Sequence, residues 1–306
     1  MAEANVLVRP IRQTELEAFA SFSAGPDRGF APEAPADFRK WLVRLWASRL
    51  SEPGRCFVAK SSEPGPLLGA AVYWGPAHEP QHLEHVQFRP GRATGAVRQR
   101  LIDGSVRLLA ADGFPTVYVL LVAPPLTLRS VSLWRATLEI LGFHLRTEGY
   151  RYEWRSDRRL PSLSKRLRFR TLKEVGVGAW RDADARVRQG SLDPPDEVRS
   201  AADLPNTAVW WRLAYDSDGQ LVGLVQPGEN DGGTTIQWIG VVPEQRGRGY
   251  VHELLAAGMA TLTAMGADKI RADTHIRNRA MQRALRQAGF DRIGRRWWYE
   301  RACQPP

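Results

Sequence analysis

Cysteine is almost absent from these 306 residues: Cys56 and Cys303 stand alone, far apart and without a C-x-x-C neighbour. Such a pair builds neither a disulfide framework nor a structural zinc site, so a reducing cytoplasm is the expected location. The opening residues Met1 to Asn5 lack the basic start and apolar stretch of a secretory leader. No segment reaches the roughly 20 apolar residues of a membrane span, and no membrane partner is expected. Lysine is scarce too: only five of the 43 basic residues are lysines, and the arginines are scattered instead of gathered in a run. A net charge of +10 and a pI near 10.1 suit a phosphate-bearing partner, either nucleic acid or a phosphorylated coenzyme. Catalytic signatures are missing as well. There is no G-x-S-x-G elbow, and neither cysteine lies near a histidine in a nucleophile motif. His78, Glu79, His82, Glu84 and His85 resemble a metal cluster, but Pro80 interrupts any helix and a strand would split the set between faces. No metal is expected.

What the chain does have is an internal repeat, and its length suits two domains. Arg92-Ala-Thr-Gly95-Ala-Val97 opens a segment with apolar Val97, Leu101, Leu108 and Leu109 that stops at Asp112-Gly113. Arg246-Gly-Arg-Gly249-Tyr-Val251 opens its counterpart, with Val251, Leu254, Leu255, Met259 and Leu262 on a helical period, stopping at Met265-Gly266. After each comes a short strand (116–122 or 269–275) and a second helix ending in Leu141-Gly142-Phe143 or Ala288-Gly289-Phe290. An aromatic strand closes each copy, Tyr150 to Trp154 or Trp297 to Glu300. Hairpins precede: Val209 to Tyr215 and Leu221 to Val225 around Asp218-Gly219, and more loosely Cys56 to Lys60 and Leu67 to Trp74. The reading is an α/β or α+β fold of two lobes, each a mixed central sheet flanked by helices. The lobes are set at 1–155 and 166–306, joined by a polar, basic linker at 156–165.

The most informative stretch runs from Ile239 to Val251. A β-branched strand meets Pro243, then a glycine-rich basic turn, then an amphipathic helix. Gly247 and Gly249 let the backbone aim its N–H groups at one point, and the unpaired amides of the first helical turn add to the dipole, making an anion site. Arg246 and Arg248 add charge for a pyrophosphate. No G-K-[ST] follows and the spacing is not G-x-G-x-x-G, which leaves coenzyme A as the best phosphate-bearing ligand.

Val241-Val242-Pro243, Arg246-Gly-Arg-Gly249, Asn278-Arg-Ala-Met281 and Gly289-Phe290 occur in the order and at the distances of the GNAT N-acetyltransferase signature. The chain resembles that family specifically over about residues 236–291, and its layout resembles the tandem two-lobed type, such as the mycothiol synthases. The resemblance implies an N-acetyltransferase that moves an acetyl group from acetyl-CoA to a primary amine of a small molecule or peptide. It implies coenzyme contacts at Val241, Val242, Arg246, Gly247, Arg248, Gly249, Tyr250, Val251, Asn278 and Met281. Two positions depart from the pattern: Val251 replaces the usual Gly or Ala, and Leu285 stands where a helical tyrosine often protonates the leaving thiolate. In the first copy the V-x-P strand reads Gln87-Phe88-Arg89-Pro90, and Val131 replaces Asn278, so that lobe is read as degenerate.

Amide formation needs a neutral amine, a held oxyanion and a proton for the thiolate, and alkylammonium groups titrate near 10. Asp273 and His275 share one face of a strand, and either suits the role of base. Tyr250 and Tyr299 are candidate proton donors, and the backbone N–H near Val241 is the natural oxyanion donor. Acceptor choice is expected from Trp180 to Trp211, including the acidic stretch Asp193 to Glu197. A non-catalytic acyl-CoA sensor and a basic nucleic-acid-binding module are the alternatives, and a monomer or homodimer is expected.

Overall fold

The computed structural model describes residues 6–24, 34–89, 91, 94–124, 126–163, 165–192, 204–230 and 233–303. Pro90 and Arg92 of the first copy and the acidic stretch Asp193 to Glu197 lie outside them. Among the described residues, no helix is long and apolar enough to cross a membrane.

Contacts divide the chain into two compact units, Met1–Thr147 with Arg296–Pro306, and Glu148–Arg295. These bounds differ from lobes set at 1–155 and 166–306. The two aromatic closing strands are each twelve residues long, about twice the usual strand length, and each gives residues to both units.

The first unit runs β1 (Leu7–Pro10), α1 (Leu16–Ser23), α2 (Pro35–Ala47), β2 (Cys56–Lys60), β3 (Leu67–Trp74), β4 (Gln81–Phe88), α3 (Thr94–Ala111), β5 (Thr116–Ala123), α4 (Leu128–Ile140) and the start of β6 (His144–Arg155). Strands β1 to β4 pair antiparallel in order. β4 and β5 pair parallel from Gln81↔Val117 only as far as Leu83↔Val119. Because strand side chains alternate, Cys56, Val58, Ala70 and Val72 pack toward α1 and α2, while Phe57, Ala59, Ala71 and Tyr73 pack toward α3 and α4. Both faces are buried, which explains why these strands read as continuous apolar runs instead of alternating ones. Burial pushes the Cys56 thiol up to about 12, so it is no nucleophile. The histidine run is dispersed: His82 stacks on Trp74 at 4.8 Å, and His85 is buried edge-on to Phe38.

The second unit starts with the rest of β6 and continues through β7 (Arg168–Thr171), α5 (Leu172–Arg188), β8 (Arg212–Tyr215), β9 (Leu221–Asn230), β10 (Gly233–Val241), α6 (Tyr250–Ala264), β11 (Lys269–His275), α7 (Arg279–Gln287) and the start of β12 (Asp291–Ala302). Its strand order is β6-β11-β10-β9-β8-β7, with β10 and β11 parallel and the other pairs antiparallel. α6 and α7 cover one face through Leu254, Leu255, Met259, Leu262 and Leu285, while α5 covers the other through Trp180, Ala183 and Val187. A Thr171/Glu174 capping box starts α5, and Gly176, at φ 79°, breaks it after one turn. The hairpin begins later than its apolar pattern suggests. Behind Pro205, residues Asn206–Trp210 form a 3-10 turn, and the strand starts only at Arg212. The supposed linker is packed: Ser156 N–H donates to the carbonyl of Asp268 at 2.8 Å, and Leu160 lies against the α6–α7 core.

Candidate functional site

β10 and β11 pair at Thr235↔Arg271 and Ile236↔Ala272 and nowhere beyond. A bulge between Ile236 and Trp238 redirects β10, which keeps its pairing with β9 to Val241↔Gly223. β11 stays paired with β6 to His275↔Gly149. The sheet therefore opens between the last residues of two parallel neighbours, leaving backbone groups to face a ligand. Val242 N–H donates to the Val222 carbonyl at 2.9 Å on the β9 side. Backbone direction alternates along a strand, so the N–H of Val241 turns toward the opening, where an oxyanion donor is needed.

Past Val242 the chain makes a short 3-10 turn, Pro243–Gln245, and reaches Gly247 and Gly249, both at φ 80°. Side chains rarely adopt that left-handed backbone, and no atom lies within 4 Å of where a Cβ would stand on either glycine. Gly249 caps α6 without any side-chain bond. Among the described residues, none accepts a hydrogen bond from the N–H of Gly247, Arg248, Gly249, Tyr250 or Val251. A row of unsatisfied amides at a helix N-terminus facing open space is an anion cradle that fits a pyrophosphate.

Arg246 does not supply that cradle with charge. Its guanidinium donates through Nε to the Val241 carbonyl at 3.0 Å and through one Nη to the carbonyls of Val187 and Gln189 at 3.1 and 2.7 Å. It fastens the end of α5 to the end of β10, and Arg186 pairing with Glu244 adds a second tie. Arg246→Ala is accordingly expected to cost about 1–2 kcal/mol, after allowance for its exposure. Arg246→Lys should recover little of this, because one ammonium cannot reproduce the planar fork. Thermal unfolding of the two variants reads this; no loss in either would refute the clamp.

Residues 166–291 match the family model described as "Acetyltransferase (GNAT) domain". Those residues are a GNAT acetyltransferase domain. Among solved structures, a GCN5-related N-acetyltransferase from Sphaerobacter thermophilus superposes with a TM-score of 0.70 at 18% identity, over 98% of this chain and 96% of that one. A tandem GNAT protein from the clavulanic acid biosynthesis pathway gives 0.55 at 15% identity, over 99% and 100%. A GCN5-related glucosamine N-acetyltransferase region of a fungal multi-domain β-N-acetylglucosaminidase gives 0.66 at 15%, over 98% of this chain and 38% of that one. The fold is thus GNAT-like across both units. No curated protein matches the chain.

Within the GNAT domain the catalytic candidates do not converge. Asp273 accepts a bidentate pair of hydrogen bonds from Arg151, directly opposite on β6, at 3.0 and 2.9 Å. Both of its oxygens are thereby engaged. The Nδ1 of His275 accepts from Arg277 N–H at 3.0 Å, which fixes the neutral ring's proton on Nε2 and makes that atom a donor. Tyr250 lies under the Arg166 guanidinium at 4.7 Å and beside Asp216 and Ser217 at the β8–β9 turn. Three strand spacings separate β8 from β11, about 14 Å. Tyr299 belongs to the first unit, where its hydroxyl accepts from Arg135 and donates to Glu139 at 2.9 and 3.1 Å. Leu285 is buried in the α6–α7 core.

The remaining coenzyme candidates lie at the end of β10 and at the starts of α6 and α7. Asn278 caps α7, its Oδ1 accepting from Met281 N–H at 3.1 Å, which leaves Nδ2 as its donor. Met281, Val241 and Tyr250 are half-buried against the α6–α7 core. Arg248 is exposed, and its carbonyl accepts from Arg166 at 3.3 Å. Two glycines that the motif reading passed over shape the same place. A Cβ on Gly223 would stand 2.2 Å from the Gly240 carbonyl oxygen, and one on Gly240 would stand 2.3 Å from Val187 Cγ1. Glycine inside a strand is the sequence signal for such close approach.

Proposed function

We propose that the second unit is the working lobe of an acetyl-CoA-dependent N-acetyltransferase that acetylates a primary amine of a small molecule or peptide, and that the first unit is a non-binding copy. The observation that carries this reading is the left-handed Gly247–Gly249 loop, whose amides cap α6 at the mouth of a sheet opened beyond Ile236 and Ala272. Bound there, the coenzyme supplies an activated acetyl thioester. The residues 247–251 hold its pyrophosphate by main-chain N–H groups, and the unpaired edge of β10 receives the arm. Val241 N–H stands ready for charge that develops on the acetyl oxygen. The ammonium first loses its proton to solvent. The neutral amine nitrogen then bonds to the acetyl carbon as the carbon–sulfur bond breaks. The sulfur leaves with the bonding pair as thiolate and takes a proton from solvent, and the nitrogen gives up its extra proton to complete the amide. Neither Asp273, held by Arg151, nor His275, in its Nε2–H form, accepts the ammonium proton directly. The acceptor is then an amine with a depressed pKa or one desolvated on entry.

A second reading, a non-catalytic acyl-CoA sensor, draws support from the same pairs and from Leu285 in the core. Release of free coenzyme thiol from acetyl-CoA across a panel of amines separates the two. We expect acceptor-dependent release with one acetyl mass added to the acceptor; tight binding of acetyl-CoA without release for any amine would favour the sensor. Retention only on nucleic acid, with affinity falling steeply as salt rises, would exclude both.

A further inference from the structure

Residues 156–165 read as a linker, yet Arg158 to Ser162 wall a cavity of about 600 Å³ in the second unit. Arg158, Arg159 and Leu160 form one side, His252 and Glu253 from the first turn of α6 a second, and Gln287 at the end of α7 a third. His252 and Glu253 follow the amides of residues 247–251 directly along the helix, within about one turn or 5 Å. A ligand whose pyrophosphate sits on those amides therefore reaches the cavity with its next group.

Charge favours a second phosphate there. Arg158 is matched to Asp291 at 2.9 Å, and Glu253 to Arg166 at 2.9 Å. Arg159 is exposed and has no carboxylate partner among the described residues, and His252 is exposed beside it. Leu160 gives an apolar wall for a flat ring, and the Gln287 amide both donates and accepts. A guanidinium, an apolar shelf and an amide together suit a phosphorylated purine nucleoside. A smaller cavity of about 240 Å³ beside Tyr250 suits it less. It holds Lys165, Arg166 and Arg168 beside the Asp216 carboxylate, but its volume is less than half that of the larger cavity, and its Arg166 is already engaged with Glu253 and the Arg248 carbonyl.

We propose that the larger cavity receives the nucleoside end of coenzyme A with Arg159 on the 3′-phosphate, so that the segment joining the two copies is part of the coenzyme site. This rests on the acyl-CoA reading of the second unit. The test is calorimetry on the full chain with acetyl-CoA and with its 3′-dephospho analogue. A charged hydrogen bond to phosphate predicts that the wild type prefers acetyl-CoA by roughly tenfold or more. Arg159→Ala should shrink that preference to about twofold while leaving affinity for the dephospho analogue unchanged, and Arg168→Ala, at the smaller cavity, should preserve it. A preference untouched by Arg159→Ala, or one erased by Arg168→Ala, overturns the assignment. Equal wild-type affinity for both thioesters overturns it alone, whereas binding of neither removes the acyl-CoA reading and this assignment with it.

Discussion

Gly249→Val should abolish measurable acetyl-CoA binding in a chain that still folds. The two effects separate because the φ of 80° carries a strain of about 1–3 kcal/mol for a β-branched residue, while nothing within 4 Å obstructs the new side chain. The melting temperature should fall by about 2–12 °C, at roughly 2–4 °C per kcal/mol for a unit of this size. Coenzyme binding suffers more, since the valine fills the space before the amides and rotates those it does not cover. Losing two amide bonds to a charged phosphate, at roughly 1.5–3 kcal/mol each, predicts weakening beyond 100-fold. Gly113→Val is the matched control. It places the same kind of strain, φ 85° with no atom within 4 Å, in the first unit, and should lower stability without changing coenzyme affinity. Calorimetry with acetyl-CoA decides: a Gly249→Val dissociation constant within tenfold of the wild type would show that the loop is not the anion cradle.

How much of this was legible depended on the range of the interactions. β2, β3 and β11 lie where the sequence pattern sets them, because apolar runs bounded by turn residues report local pairing. Gly247 and Gly249 were legible for the same reason, since the need for positive φ is local. The functions of side chains were not. Arg246 reads as a phosphate ligand by its neighbours, but its partners Val187 and Gln189 lie 59 and 57 residues away. Asp273 reads as a base by its strand position, while Arg151, 122 residues upstream, occupies both of its oxygens. Tyr299 fell to the first unit because β12 runs through both, which no period-two pattern announces. The segment 156–165 reads as a connector because polar, proline-bearing composition marks loops whether or not they pack.

Titration of the full chain should saturate at one acetyl-CoA. The first unit does not lack the fold for a second: β4 and β5 are parallel and part after Leu83 and Val119, just as β10 and β11 part after Ile236 and Ala272. What differs is the content of the wedge. In the register of the repeat, Phe88, Arg98 and Trp134 stand where the second unit has Val241, His252 and Met281. The Phe88 and Trp134 rings lie 6.0 Å apart, and the Arg98 guanidinium sits 5.5 and 5.0 Å from their centres. Burial holds the Arg98 pKa below its ordinary value, the cost of taking a cation between two rings. The first unit thus fills its own groove with side chains, and Val131, buried in place of Asn278, offers no polar group to a ligand. Trp134→Ala should then behave as a core truncation, lowering stability by about 3–5 kcal/mol. It should leave acetyl-CoA affinity within twofold and the stoichiometry at one, because its contacts lie in the first unit and the amide loop in the second. Two molecules bound per wild-type chain, or a tenfold loss of coenzyme affinity in Trp134→Ala, would mean that the first unit shares in binding after all.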